Sequence, residues 1–214
     1  MWTSSIISQS INFVLENLYY LSGIALFIIG IKQINIITTQ SKVTNRREAV
    51  TLTSQLSEKF YKELVPLVDE IEFYLIENGI DISKDLRDFA KASKNKVVVN
   101  ESTFTKIMEI LSDDETFAKK YLYLTNQFEA FSTNFVNGVA DTDLAYKIIG
   151  KVYCEEVIII FPLIVLCNDE NTEMYTEITE LYTNWRSLII KEEAEKNFNE
   201  AKENVVKPFK TIGV

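Results

Sequence analysis

The sequence predicts an all-α protein: one N-terminal transmembrane helix followed by a cytosolic helical bundle. Three observations carry this expectation. In 214 residues there are only six Gly and three Pro, so tight turns are few and elements are long. Residues 17–31, NLYYLSGIALFIIGI, hold no charged side chain. After position 55, apolar residues recur at spacings of three and four, which is one face of a helix.

The apolar run comes first. Its length as a helix is about 22 Å, short of the roughly 30 Å hydrocarbon core of a bilayer. Ile11–Leu15 and Gln33–Ile37 extend it, with Glu16 and Lys32 reaching toward headgroups or a polar interior. A signal peptide needs a basic segment before the run and a small-residue cleavage site after it, and the sequence offers neither. A plain buried helix is the remaining alternative. Lys32, Lys42, Arg46 and Arg47 follow the run and no Lys or Arg precedes it. The positive-inside rule then sets the N-terminus outside a bacterial inner membrane and the main domain in the cytoplasm.

Within this segment Asn12, Glu16, Tyr19, Gly23, Leu26, Gly30 and Gln33 alternate spacings of four and three, which places them on one helix stripe. Lipid disfavours Asn and Glu, and glycine permits close backbone approach. The stripe therefore suits a helix–helix interface or the lining of a pore in an oligomer; Asn12 and Glu16 in the outer headgroup layer is the alternative. Lys42, Arg46 and Arg47 either fix topology and touch anionic lipid, or form a ring that takes an anionic ligand.

Residues 1–40 thus read as anchor and flanks, 41–55 as a basic helical linker, 56–190 as the bundle and 191–214 as a charged C-terminal helix and tail. In the bundle Leu56, Phe60, Leu64, Leu67, Ile71 and Tyr74 form the first stripe, kinked at Pro66 and closed by Asn78-Gly79. A short helix is expected around Lys84–Ala92, a loop at 97–99, and a second short helix over Thr103–Leu111. Ser112 and Glu115 have the spacing of a capping box for the next helix. There Phe117, Tyr121, Leu124, Phe128, Phe131 and Phe135 give an aromatic core stripe that ends at Asn137-Gly138. Asp141 caps a helix to about Cys167, in which VIIIFPLIVLC (157–167) is too short to span a bilayer and reads as a buried helix bent at Pro162. After a turn at Asn168–Asn171, Met174, Ile178, Leu181, Trp185 and Leu188 make the last stripe. The tail is a solvated, charge-alternating helix that frays after Pro208.

Composition narrows the chemistry. There is no histidine, which removes Ser-His-Asp and Cys-His catalysis and the common zinc sites. Phosphate-binding and nucleophile-elbow motifs are absent as well, so no enzyme activity, cofactor or metal is expected. Cys154 and Cys167 read as buried thiols in a reducing compartment. Residues 48–214 hold 18 basic and 30 acidic side chains, a net of −12 within the chain's −9. That balance argues against duplex nucleic acid as a partner. Glu129, inside the aromatic helix, is expected to pair with a Lys or Arg.

One resemblance adds to this reading. The stretch Tyr123–Gly150, the later Leu181–Trp185 and the linker TNRREAVTLTSQLSEKFY resemble a family of uncharacterised bacterial membrane proteins with one N-terminal membrane helix and a helical cytosolic domain. The chain also looks like the membrane effector of the anti-phage defence system called Hailong. The resemblance implies a homo-oligomer, with a tetramer favoured, that depolarises the cell in abortive infection. It further implies a nucleotidyltransferase-like partner whose oligonucleotide product regulates the channel. The alternative is a passive membrane-anchored adaptor that docks a cytosolic partner.

Overall fold

The computed structural model describes residues 2–80, 101–168 and 173–206, with side chains described for Ser22 and for residues 26–80, 102–168 and 173–202. All elements among them are helical, as expected: α1 (Trp2–Lys59), a π-helical turn (Phe60–Leu64), α2 (Val65–Glu77), α3 (Glu101–Asp113), α4 (Glu115–Val136), α5 (Thr142–Cys167) and α6 (Thr176–Val206). The helix and loop expected over 84–99, and most of the turn at 168–171, lie outside the described residues. Two compact units divide the chain at Glu48/Ala49.

In the first unit the polar run from Thr38 stays helical without a break. Thr38 Oγ1 donates to the Ile34 carbonyl and Thr39 Oγ1 to that of Asn35, each at 2.8 Å. Hydroxyls bonded back along the helix in this way do not compete with the ladder from outside it. Among the described residues, no helix is long and apolar enough to cross a membrane.

The second unit is the bundle. Pro66 lacks an N–H and its ring crowds the carbonyl four residues back. The chain answers with the π turn, in which the Val65 N–H reaches the Phe60 carbonyl, five residues away. A π turn advances the helix face by one residue. This corrects the first stripe: beyond Leu64 the core takes Val68, Ile71 and Leu75, while Leu67 and Tyr74 are only partly buried. Both expected glycine stops are present, with φ of +80° at Gly79 and +66° at Gly138. Each closes with the paired bonds of a Schellman motif, Ile80 N–H to Leu75 O at 3.0 Å and Val139 N–H to Asn134 O at 3.0 Å.

The capping box is a second correction. α3 runs through Ser112 to Asp113, and Asp114 is the N-cap of α4: its carboxylate accepts from Thr116 N–H at 2.9 Å and Phe117 N–H at 3.0 Å. An ionised carboxylate is a stronger acceptor at a helix start than a hydroxyl two residues outside it. The α4 stripe is buried at all six expected positions. Asp141 caps α5 through Leu144 N–H at 3.0 Å, and its own N–H donates to Thr53 Oγ1 at 2.8 Å.

The core lies where α4, α5 and α6 pack pairwise, with α2 against α4 and α5. Tyr153 stands at its aromatic centre, 5.0 Å from Trp185 and 5.9 Å from Phe131 between ring centroids. Its hydroxyl shares a 2.7 Å hydrogen bond with Ser132. α5 continues as helix through Pro162, and residues 157 and 159–164 are buried. The buried stretch stops sooner than expected, because Val165 and Leu166 are exposed. In the last stripe Ile178, Leu181 and Trp185 are buried, but its ends differ. Tyr175 and Ile189 are in the core, and Met174 and Leu188 are 43% and 42% exposed. Tyr175 turns the chain at φ +61°, so the helical period begins only after Met174.

Candidate functional site

The residues singled out for function fall on α1. Its continuous helical backbone keeps Asn12, Glu16, Tyr19, Gly23, Leu26, Gly30 and Gln33 on one stripe by register. The side chains of Asn12, Glu16, Tyr19 and Gly23 lie outside the described residues. Leu26 and Gln33 are exposed and Gly30 is half-buried. Among the described residues, a Cβ placed on Gly30 meets nothing within 4 Å.

Around Leu26, Gly30 and Gln33 the helix is largely apolar, interrupted by the exposed Lys32, Gln33 and Asn35. Leu26, Phe27, Ile28, Ile29, Ile31, Ile34, Ile36 and Ile37 are between 46% and 69% exposed. At about 100° per residue they occupy all directions about the helix axis. Lys42, Arg46 and Arg47 follow, all exposed and in no ion pair among the described residues. At the same rotation Lys42 and Arg46 point roughly opposite to Leu26 and Gly30. Arg47 continues the four-and-three spacing of the stripe through Ile37, Gln40 and Thr44. Lys42 and Arg46 therefore lie on a different face from the stripe, and Arg47 lies on its continuation.

The second arrangement surrounds Glu129. Its partner is not the expected cation but the start of α6: its carboxylate accepts from Ile178 N–H at 3.0 Å and Glu177 N–H at 3.4 Å. Burial, reinforced by a hydrogen bond with the Glu177 carboxyl, raises the Glu129 pKa to about 7. Glu177, hydrogen-bonded to Glu129 and to Thr176, is held below the ordinary carboxylate range. Next to them the Tyr175 hydroxyl donates to Asn126 Oδ1 at 3.1 Å. A one-dimensional sequence carries no sign of this pair, because 48 positions separate its members.

As chemistry, the pair sets two carboxyl groups against the start of α6, with Glu129 the one held protonated more readily. Burial pushes the Cys154 thiol up to about 12, which makes it inert. Cys167, expected to be buried, is only partly so, and both cysteines are free. No cluster of three or more metal-ligating side chains occurs among the described residues. The cleft beside the start of α6 is lined by Asn168, Thr176, Thr179, Thr183 and Asn184 with the carboxylates of Glu173 and Glu180. That lining holds no cation and no thiol.

Searches of family models, curated proteins and solved structures found no match to this chain.

Proposed function

We propose that this chain is a homo-oligomeric inner-membrane effector, an ion channel or pore anchored by α1 and gated through its helical bundle. The observation that carries the reading is the band over residues 26–37, whose exposed Leu, Phe and Ile side chains point in all directions about the helix axis and are interrupted by Lys32, Gln33 and Asn35. Eight large apolar side chains exposed within twelve residues belong against lipid or against other protein. The uncharged residues 17–25 that precede the band lengthen it toward a bilayer span. The basic residues after it favour the N-terminus outside and the bundle in the cytoplasm.

Assembly through the Asn12–Gln33 stripe fits the open space at Gly30, where a neighbouring helix can approach. In such an assembly Lys42 and Arg46 face outward to anionic headgroups, and Arg47 follows the interface. The resemblance to the Hailong effector supplies the setting of this proposal. There, depolarisation of an infected cell is controlled by a nucleotidyltransferase-like partner and its oligonucleotide, and a tetramer is favoured.

The test replaces residues 11–37 with an unrelated membrane helix of equal length. Loss of toxicity at unchanged membrane expression is the expected result. Full toxicity after the swap would mean that α1 only anchors, and an adaptor role would take the place of the channel.

A further inference from the structure

The end of α6 carries a second apolar stripe that nothing among the described residues covers. As far as Ile189 this helix faces the core through Ile178, Leu181, Trp185 and Ile189. Beyond that, Ile190, Ala194, Phe198 and Ala201 are exposed, Phe198 at 69%. At about 100° per residue these four fall within roughly 80° of arc, on the side of the helix away from the core-facing residues. An exposed phenylalanine on a helix this polar is not needed to fold the bundle.

Shape and charge together indicate what covers it. Phe198 is bracketed by two alanines, Ala194 one turn before and Ala201 one turn after. A large ring between two methyl groups complements itself: the ring of one copy seats over Ala201 of another. Glu195 and Lys202 lie along one edge of the stripe, on either side of Phe198. In a parallel pair that edge meets Ile190 and Asn197 of the second copy, and the charges find no partner. In an antiparallel pair with Phe198 over Ala201, Glu195 meets Lys202 of the second copy, and the two-fold axis repeats the contact. On the far side of the helix, Lys196 and Glu200 already pair with each other at 3.8 Å. Neither Glu195 nor Lys202 takes part in an ion pair among the described residues.

We propose that the exposed end of α6 docks antiparallel onto the same segment of a second copy of this chain, with Phe198 in the alanine notch and Glu195 opposite Lys202. A contact of a few turns is too short to hold copies together from dilute solution. It therefore rests on the proposed membrane anchoring, which concentrates them.

The experiment uses full-length chain. Ordinary and isotope-labelled copies are mixed in detergent, reconstituted into lipid vesicles and treated with a zero-length carboxylate–amine crosslinker. Mass spectrometry then looks for a Glu195–Lys202 crosslink joining one labelled and one unlabelled copy. The crosslink is expected in the unaltered chain. Its ion-pair counterpart, the pairing itself, is followed by oligomer size: Glu195→Lys alone and Lys202→Glu alone should reduce association, and the double reversal should restore it. Chain in vesicles with no mixed crosslink overturns the α6 contact and leaves the membrane reading standing. A mixed crosslink on chain that stays out of the vesicles overturns the membrane reading, and with it the dependence of the α6 contact on anchoring.

Discussion

The Glu129 carboxylate on α4 accepts the backbone N–H of Ile178 at 3.0 Å, so an acid on one helix caps the start of another. It shares the position with Glu177, and its pKa of about 7 lies above the ordinary value of 4.5. A raised carboxyl pKa means that the folded state binds more protons than the unfolded state between these two values. The stability this group adds is complete below pH 4.5 and is lost as the pH rises through about 7. Glu177 acts the other way, its stabilisation lost as the pH falls below the ordinary carboxylate range. Thermal unfolding followed by circular dichroism should give a higher Tm at pH 5.5 than at pH 8. Glu129→Gln should flatten that difference.

Tyr121 is fully buried on α4 and donates its hydroxyl to the carbonyl of Ile159, three residues before Pro162 on α5. Burial raises the phenol's pKa, which keeps it a donor throughout the accessible pH range. Tyr121→Phe removes the donor and keeps the ring. Denaturant unfolding should show a loss of about 0.5–1.5 kcal/mol, the usual net contribution of one intramolecular hydrogen bond, since Ile159 O keeps its place in the α5 ladder.

Asp114 caps α4 and also accepts the Tyr74 hydroxyl at 2.8 Å. Asp114→Ala should lower stability by about 1 kcal/mol or slightly more. Ser112→Ala should change it by only a few tenths, since Ser112 is an exposed residue of α3. Equal losses at both positions would mean that the serine shares the cap.

Gly150 is buried on α5, and a Cβ there would stand 2.5 Å from Cδ2 of Tyr146. The ring of Tyr146 lies over its own helix and against Trp185, with centroids 6.3 Å apart. Gly150→Ala must move that ring and should cost about 1–3 kcal/mol. Tyr146→Ala in the same chain should recover part of the loss, and a double-mutant cycle measures the coupling.

Where the hydrophobic period ran unbroken, the sequence was enough. The six aromatic and leucine positions of α4 step by three and four with no proline or glycine among them, and each is in the core. The α2 stripe slipped at Pro66 because a π turn moves the helix face by one residue without marking the sequence. The α6 stripe slipped at both ends: Tyr175 adopts a left-handed backbone, and the core-facing side continues at Ile189 one turn past Trp185. Ser112 matched a capping pattern that the neighbouring Asp114 satisfies more strongly. Glu129 was noticeable from sequence as an acid among aromatics, but its partner is a helix start brought near by the fold. Of the candidate site, Lys42, Arg46 and Arg47 are exposed as a solvated cluster would be, whereas the separation of Lys42 and Arg46 from the stripe appears only once α1 is continuous.

The central claim is that copies of α1 assemble into a conducting path. The most direct measurement is membrane potential, read with a voltage-sensitive dye in bacteria expressing the chain alone, beside the Gly23→Leu/Gly30→Leu variant. A Cβ at position 30 meets nothing within 4 Å among the described residues, so the leucine there is chosen to report on contact between copies. Depolarisation by the unaltered chain, and its loss in the variant at equal membrane expression, is the expected result. A polarised membrane with the unaltered chain present at that same level, or depolarisation undiminished by the two leucines, would contradict it.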